Sequence, residues 1–360
     1  MKTTARYALY CILLLGLQSC HNSLEKQNET VGFTIDYQYD TTIVTVRSPW
    51  QQGTTMAQYH FTQPYQRIAC TSATHIGFLR ELGLMDRVVG VCHPERIYNL
   101  TAEQRATLID LGDDMNPNLE KILLSQPDAI VVSTYAEGDA ATAKIATLGI
   151  PVLYCNEWTE ASPLARAEWI RFFGACFGPT ALADSIYDSV KQAYNKEVTE
   201  VSEHSPYILS GQSFRGTWYV PSGNTYMGHL FQDAGYNYVY QSKTETQSIP
   251  LTIEQALQDF SNADVWVGCN AYSLKELAAI DQTHTWFKAY QQDNVYNFYH
   301  RTLSSGANDF WETGVVHPER ILHDLRIILH SVTGANDVIF SVNQTNPLQS
   351  DTLFFAEKLQ

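Results

Sequence analysis

Apolar residues along most of this chain fall into two alternating patterns. Short continuous runs rich in β-branched residues, such as Ala129-Ile-Val-Val132, leave no position for a solvent-facing side chain and predict strands covered on both faces. Between them lie stretches with apolar residues three and four apart, the period of a helix with one buried stripe. Asn118-Leu-Glu-Lys-Ile-Leu-Leu-Ser125 is such a stretch. Asn118 is placed to cap it by accepting from a first-turn amide. Leu119, Ile122 and Leu123 form the stripe, and Glu120 stands off it in the first turn, where the helix dipole tolerates an acid. Gln126-Pro-Asp128 stops the helix, because proline disfavours helical backbone at the residue before it. Helix, turn and buried strand make one unit.

In chain order, Asn22–Thr30 is polar, and Phe33–Tyr39 and Thr42–Arg47 then alternate about Asp40-Thr41, which predicts a hairpin, with Ala57–Phe61 as a third strand. From Arg67 the pattern becomes α/β. It has a strand at Arg67–Cys70, a turn and cap at Thr71–His75, and a helix ending at Gly83. Strands at Val88–Cys92 and Leu108–Gly112 lead into the unit above, and a helix at Ala140–Leu148 and a strand at Pro151–Cys155 follow it. This alternation predicts a parallel sheet with helices on its faces. Ser162–Val201 is helical apart from Gly174 and Gly178-Pro179, which divide it in two. A second α/β series has strands at Tyr207–Ser210, Thr217–Val220, Val265–Gly268 and Val295–Tyr299, a helix at Tyr226–Ala234 and a last helix at Pro318–His330. Of the final thirty residues only Asp337–Val342 has a strand-like pattern.

Thr252–Gly268 repeats the design of the first unit. Thr252 and Gln255 make a capping box, and Ile253, Ala256 and Leu257 repeat the stripe. Asp264 precedes the strand as Asp128 does, and Glu254 falls where Glu120 falls. The repeat predicts two similar α/β lobes, 65–160 and 204–333, joined by the helical region 161–203. A tether and small N-terminal β-hairpin (21–64) precede them, and a tail (334–360) follows.

The first residues read as a targeting segment: Lys2 and Arg6, then apolar Tyr7–Leu17, then Leu17-Gln-Ser-Cys20. A small residue directly before a cysteine resembles the lipobox of bacterial lipoproteins. Residues 1–20 are therefore expected to be a signal peptide, with Cys20 lipidated and the protein membrane-anchored. No later run reaches the roughly 18 apolar residues a membrane span needs. The other cysteines after the leader, Cys70, Cys92, Cys155, Cys176 and Cys269, include no CxxC pair, and four sit in or beside strand-like runs, so buried free thiols are expected. A hydrophobic fraction of 44% with 17% charged residues describes a folded globular chain. A net charge of −15 with no basic stripe argues against nucleic acid.

Several segments, in this order, resemble the periplasmic-binding-protein family of ABC importers for iron-siderophores, haem and cobalamin. They are Arg67-Ile-Ala-Cys-Thr-Ser-Ala-Thr-His-Ile76, Glu81–Val91, Pro117-Asn-Leu-Glu-Lys-Ile-Leu123 with Gln126-Pro-Asp128, Leu148–Val152, Gln232-Asp-Ala-Gly235, Ile253-Glu-Gln-Ala-Leu257, Asn294-Val-Tyr296 and Trp311–Leu322. The resemblance implies two Rossmann-like lobes joined by a long bridging helix, with ligand held in the cleft between them. It implies a monomeric, non-enzymatic, periplasmic membrane-anchored lipoprotein with no resident cofactor. Such a protein delivers a metal chelate to an ABC permease dimer with its ATPase subunits. In this family one surface glutamate per lobe pairs with permease arginines, a role the resemblance gives to Glu120 and Glu254.

Ligand in such a fold contacts loops at the C-terminal ends of the strands. Their aromatics here are Tyr98, Tyr135, Trp158, Phe214, Trp218, Tyr272, Phe310 and Trp311, a set that suits a planar macrocycle or aryl chelate. Basic candidates are few, Arg96, Arg215 and Arg301, and Asp113 and Asp114 add the opposite charge. This favours haem, a corrinoid or a weakly anionic iron chelate over a strongly anionic siderophore. Tyr98, Tyr135, His75, His93 and Tyr272 are conceivable axial ligands for haem, with none singled out. Two other readings stand beside this one. A lipoprotein for free zinc or manganese is permitted by eleven histidines, although they are scattered. A hydrolase is suggested only by Gly211-Gln-Ser-Phe-Arg-Gly216, one residue too long for G-x-S-x-G.

Overall fold

A computed structural model describes residues 29–333 and 352–360; the leader with Cys20, and Asp337–Val342, lie outside the described residues. The N-terminal hairpin forms together with its third strand. Phe33–Gln38, Thr41–Arg47 and Thr55–Phe61 make one antiparallel sheet in that order. Its inner face buries Phe33, Val44 and Val46, with Phe33 edge-on to Trp169 at 4.9 Å. Two buried acids hold the strand that enters it. Glu168 accepts the amides of Glu29 (2.7 Å) and Thr30 (2.9 Å), and Glu160 accepts the Gly32 amide (3.1 Å) and the Trp169 indole N–H (3.1 Å).

The first lobe is a five-stranded sheet. Ile68–Cys70 lies at its centre, with Ala129–Val132 and then Val152–Tyr154 on one side, and Val88–Val91 and then Ile109–Asp110 on the other. All pairings are parallel. The chain leaves the central strand in one direction and returns on its other flank, so the switch point lies between Ile68–Cys70 and Ala129–Val132. The unit helix runs Leu119–Ser125, capped by Asn118, whose side chain accepts the Lys121 amide at 3.0 Å. Its stripe differs from the expected one. Ile122 and Ser125 are buried, whereas Leu123 is 51% exposed. The helix is only seven residues long and turns Ile122 into a small core with Ala69, Leu111, Ile130 and Ile145, against which Leu119 also packs, while Leu123 and Leu124 face outward.

The bridge is two helices, divided at Gly178-Pro179; Gly174, also expected to break it, lies inside the first helix. Pro163–Phe177 is buried on every side, Gly178 turns the chain at φ 113°, and Thr180–Glu197 runs back alongside. Gly174 allows the close approach, since a Cβ there would lie 2.5 Å from that of Ala183. Arg171 ties the pair, with Glu168 at 2.6 Å, Asp184 at 2.8 Å and Asp188 at 2.9 Å.

In the second lobe Ile208–Ser210, Val265–Val267 and Val295–Asn297 form the parallel sheet. Thr217–Pro221, expected in this series, instead pairs antiparallel with Ser213–Phe214 and Ser248–Leu251 in a sheet of its own. Arg215 (φ 52°) and Gly216 (φ 82°) explain this, because two consecutive left-handed residues make a tight hairpin and leave no room for a crossover helix. The same hairpin occupies the stretch that approached a nucleophile elbow. The chain's last residues complete the lobe: Glu357–Lys358 pairs antiparallel with Val295–Asn297, and Phe355 is fully buried. Buried Asp324 accepts the amides of Phe354 (2.6 Å), Phe355 (2.6 Å) and Ala356 (2.8 Å). The five cysteines named above are free and buried, and among the described residues no helix is long and apolar enough to cross a membrane.

Candidate functional site

The first-lobe helix Ala73–Glu81 packs against the turn Asp309–Trp311 and the helix Thr313–Val316 of the second lobe. Contact is made through backbone at Gly77, where a Cβ would lie 2.2 Å from the Glu312 carbonyl oxygen. Two fully buried acids fasten the joint. Glu312 accepts the amides of Tyr98 and Asn99, the latter at 3.2 Å, and the Arg80 guanidinium at 3.4 Å. Asp309 accepts from the Arg301 guanidinium (2.7 Å), the Thr313 hydroxyl (2.6 Å) and the Asn99 side-chain amide. Burial pushes the Glu312 carboxyl up, against the pull of the Tyr98 and Asn99 amides. Alongside, the His317 ring meets Glu319 at 2.8 Å and Glu81 at 3.3 Å. Burial opposes charge on this imidazole, but the two carboxylates outweigh it and raise its pKa; the bond from His317 in turn holds Glu81 down at about 2.

With Asp309 and Glu312 pinned inward, Trp311 between them is turned out, 53% exposed. It borders three adjoining hollows of about 220, 250 and 330 Å³. The first lies in the second lobe among Met227, Asn270, Phe298, Tyr299 and Phe310. The next spans the lobes from Trp158 and Arg166 to Tyr226 and Met227. The last reaches the first lobe at Thr71–Thr74, His93, Arg96 and Asp114. Each is near the lower end of the range for small-molecule sites, and together they make one elongated cleft.

The structure sorts the expected residues. Trp311 and Trp158 line the cleft, and Tyr135 stacks on Trp158 at 5.6 Å. Tyr272, 62% exposed, lies 5.0 Å from the lining residue Tyr299. Tyr98 sits under the Arg301 guanidinium at 5.3 Å, and Arg301 spends its charge on Asp309. Phe214 and Arg215 meet at the hairpin tip, 5.1 Å apart. Trp218 does not belong to the cleft. It is 1% exposed, its indole donates to the Ser210 carbonyl at 2.9 Å, and it packs on Trp266 and Phe287, because the hairpin turns its side of the strand into the core. His75 is likewise buried beneath the cleft floor. His93, Asp113 and Asp114 bring ligating atoms within 4.8 Å of one another.

Sequence reasoning missed Arg166, buried with its guanidinium 4.9 Å over Tyr226, and the acids Asp309 and Glu312. The only sequence signal for the acids was their spacing of three around Phe310-Trp311. Glu120 and Glu254 are exposed in the first turns of corresponding helices, Leu119–Ser125 and Ile253–Phe260. The second helix carries the predicted capping box, with Thr252–Gln255 bonds of 2.9 and 3.3 Å. The Glu254 carboxylate is held low by its own amide and the Thr252 hydroxyl.

Two α/β lobes, bridged by helices and locked around an aromatic cleft, define a bilobal ligand-binding protein. The chain belongs to the periplasmic binding protein family, whose sequence profile matches residues 68–300. It is 26% identical over 232 residues to an uncharacterized lipoprotein of Methanocaldococcus jannaschii, in a match covering 62% of this chain and 53% of that protein. The chain thus spans about half the length of the curated relative it matches. Among solved structures it is similar to an ABC-type Fe3+-hydroxamate transport system from Saccharomonospora viridis (21% identity, TM-score 0.55, 81% of this chain and 99% of that one). It is also similar to a periplasmic heme-binding protein from Pseudomonas aeruginosa (14% identity, TM-score 0.58, 74% of this chain and 93% of that one). At these identities the likeness is one of fold.

Proposed function

We propose that this protein is the substrate-binding lipoprotein of an ABC importer, capturing a metal chelate in the interlobe cleft and delivering it to a membrane permease. The observation that carries this reading is the chain of three hollows around Trp311, walled by Trp158, Tyr226, Phe298, Tyr299 and Phe310. Large aromatic faces suit a flat or aryl-bearing ligand. Among the described residues, the guanidinium groups lining these hollows are Arg166 and Arg96, few for a strongly anionic siderophore. Haem, a corrinoid or a weakly charged ferric chelate fits best. The similar folds of a ferric-hydroxamate transport system and a heme-binding protein agree with a chelate cargo. Lipidation at Cys20 would hold the protein at the membrane in an extracytoplasmic position. Exposed Glu120 and Glu254, one on each lobe, would dock on basic permease surfaces.

Native mass spectrometry of protein purified from its own host tests the cargo. A bound chelate or macrocycle is expected, with Soret absorbance if it is haem; turnover of model esters with no bound chelate would overturn the reading. Glu120→Ala with Glu254→Ala is expected to abolish stimulation of the permease ATPase while leaving ligand affinity unchanged. Normal stimulation by the double variant would remove both glutamates from the docking role. A second reading, capture of free zinc or manganese, is favoured by His93, Asp113 and Asp114 at the mouth of the first lobe, and a lone metal ion in the same spectrum would select it.

A further inference from the structure

The switch point of the first lobe holds a second constellation, beneath the cleft floor and independent of the cargo. His75 lies in the first turn of Ala73–Glu81, capped by Ser72. Cys155 directly follows the strand Val152–Tyr154, its amide bonded to the Val132 carbonyl at 2.9 Å, and Glu157 opens the short turn Glu157–Thr159. The loops at this end of the sheet bring one nitrogen, one sulfur and one carboxylate oxygen within 4.8 Å of one another. All three residues are closed to solvent, at 0%, 0% and 1% exposure.

We propose that His75, Cys155 and Glu157 form a binding site for Zn2+ inside the first lobe. The ligand types are those zinc takes, and three protein ligands leave a fourth tetrahedral position for water. Cys155 Sγ and Glu157 Oε2 are 3.5 Å apart. Zinc bonds to sulfur and oxygen at tetrahedral angles set those atoms roughly 3.6 Å apart, so this edge is already spaced for the ion. The surroundings have the arrangement that orients metal ligands. His75 Nε2 lies 3.1 Å from the Ser133 hydroxyl; with that hydroxyl accepting, Nε2 carries the proton and Nδ1 keeps its lone pair for the metal. Nδ1 is buried and has no hydrogen-bond partner of good geometry. The other Glu157 oxygen, Oε1, faces Arg166 Nη2 at 3.8 Å, leaving Oε2 for the metal.

A thiol–carboxylate hydrogen bond alone accounts for Cys155 and Glu157, but it leaves His75 Nδ1 with only the neighbouring Cys155 backbone and no hydrogen bond of good geometry. An ion employs all three. Binding displaces the thiol proton to solvent, and closure of the site means that metal enters as the lobe folds. Its effect would be mechanical: the turn carrying Glu157 also carries Trp158, so the ion ties a cleft wall to the helix that contacts the second lobe.

The test is to unfold the full chain in denaturant with a chelator, refold it with Zn2+ or Co2+, and remove free metal. About one ion per folded chain is expected to remain, and the cobalt form should show thiolate-to-cobalt charge transfer with tetrahedral visible bands. Cys155→Ser should remove the charge-transfer band. Ser133→Ala, which only frees the imidazole, should weaken retention about tenfold or more. Folded wild-type protein that retains no metal overturns the proposal whatever the variants do. So does a charge-transfer band that survives Cys155→Ser in folded protein, or metal that is lost with His93→Ala instead, which would place the ion in the cleft.

Discussion

The two lobes repeat one helix–turn–strand unit yet close their sheets differently. In the first lobe every strand comes from 68–154, so the sheet is complete before the bridge begins. The second lobe has three parallel strands, and its fourth, Glu357–Lys358, arrives from the end of the chain. That last strand is held by Asp324, whose carboxylate gathers three amides about thirty residues away in sequence. One lobe is a local product of its sequence; the other depends on a single buried acid. The joint between them depends on two more, Asp309 and Glu312.

Removing that acid is the strongest way to break the contrast. Asp324→Ala leaves buried amides unpaired, and a loss of about 4 kcal/mol is expected. Hydrogen exchange should show the second-lobe strands losing protection while Ile68–Cys70 and Ala129–Val132 keep theirs. Equal loss in both lobes would make them one cooperative unit. Next in size is the joint: Gly77→Ala sets a methyl against the Glu312 carbonyl, which is backbone and cannot swing aside. A cost of about 3 kcal/mol is expected, with urea unfolding splitting from one transition into two.

The smallest effect concerns pH. The raised pKa of His317 gives a contribution that is complete below about 6.5 and is lost as pH rises through the folded value. The depressed pKa of Glu81, about 2, gives one that is present above about 4.3 and lost as pH falls through the folded value. The interlobe contact is therefore strongest between about pH 4.5 and 6.5. Glu319, Arg320 and Arg80 complete the charged surroundings. His317→Gln should flatten the alkaline arm of a stability–pH curve by about 1 kcal/mol, a modest figure because Glu81 is partly open to solvent. An unchanged alkaline arm would assign the pH dependence to other groups.

Much of the fold was legible because its signals are local. Asn118 and Thr252 cap their helices by bonds spanning three residues, proline and glycine end helices through their own dihedrals, and runs such as Ala129–Val132 bury themselves in any parallel sheet. The site was legible only in outline. Trp218 and Trp311 both stand near strand ends among small and polar residues, yet one is core and the other borders every hollow of the cleft. The difference lies in what surrounds them: the Arg215-Gly216 turn folds Trp218 inward, and Asp309 and Glu312 hold Trp311 outward.

By itself, then, the sequence determined the elements, their order and the repeated unit, since each rests on dihedral preferences and periodicities within a few residues, and the family through the resemblance of its ordered segments. Tertiary structure alone decided which aromatics meet a ligand, that the last residues close the second lobe, and that His75, Cys155 and Glu157 converge. These depend on partners up to some 230 residues apart, such as Arg80 and Glu312, and a buried polar group is satisfied only where folding places its partner.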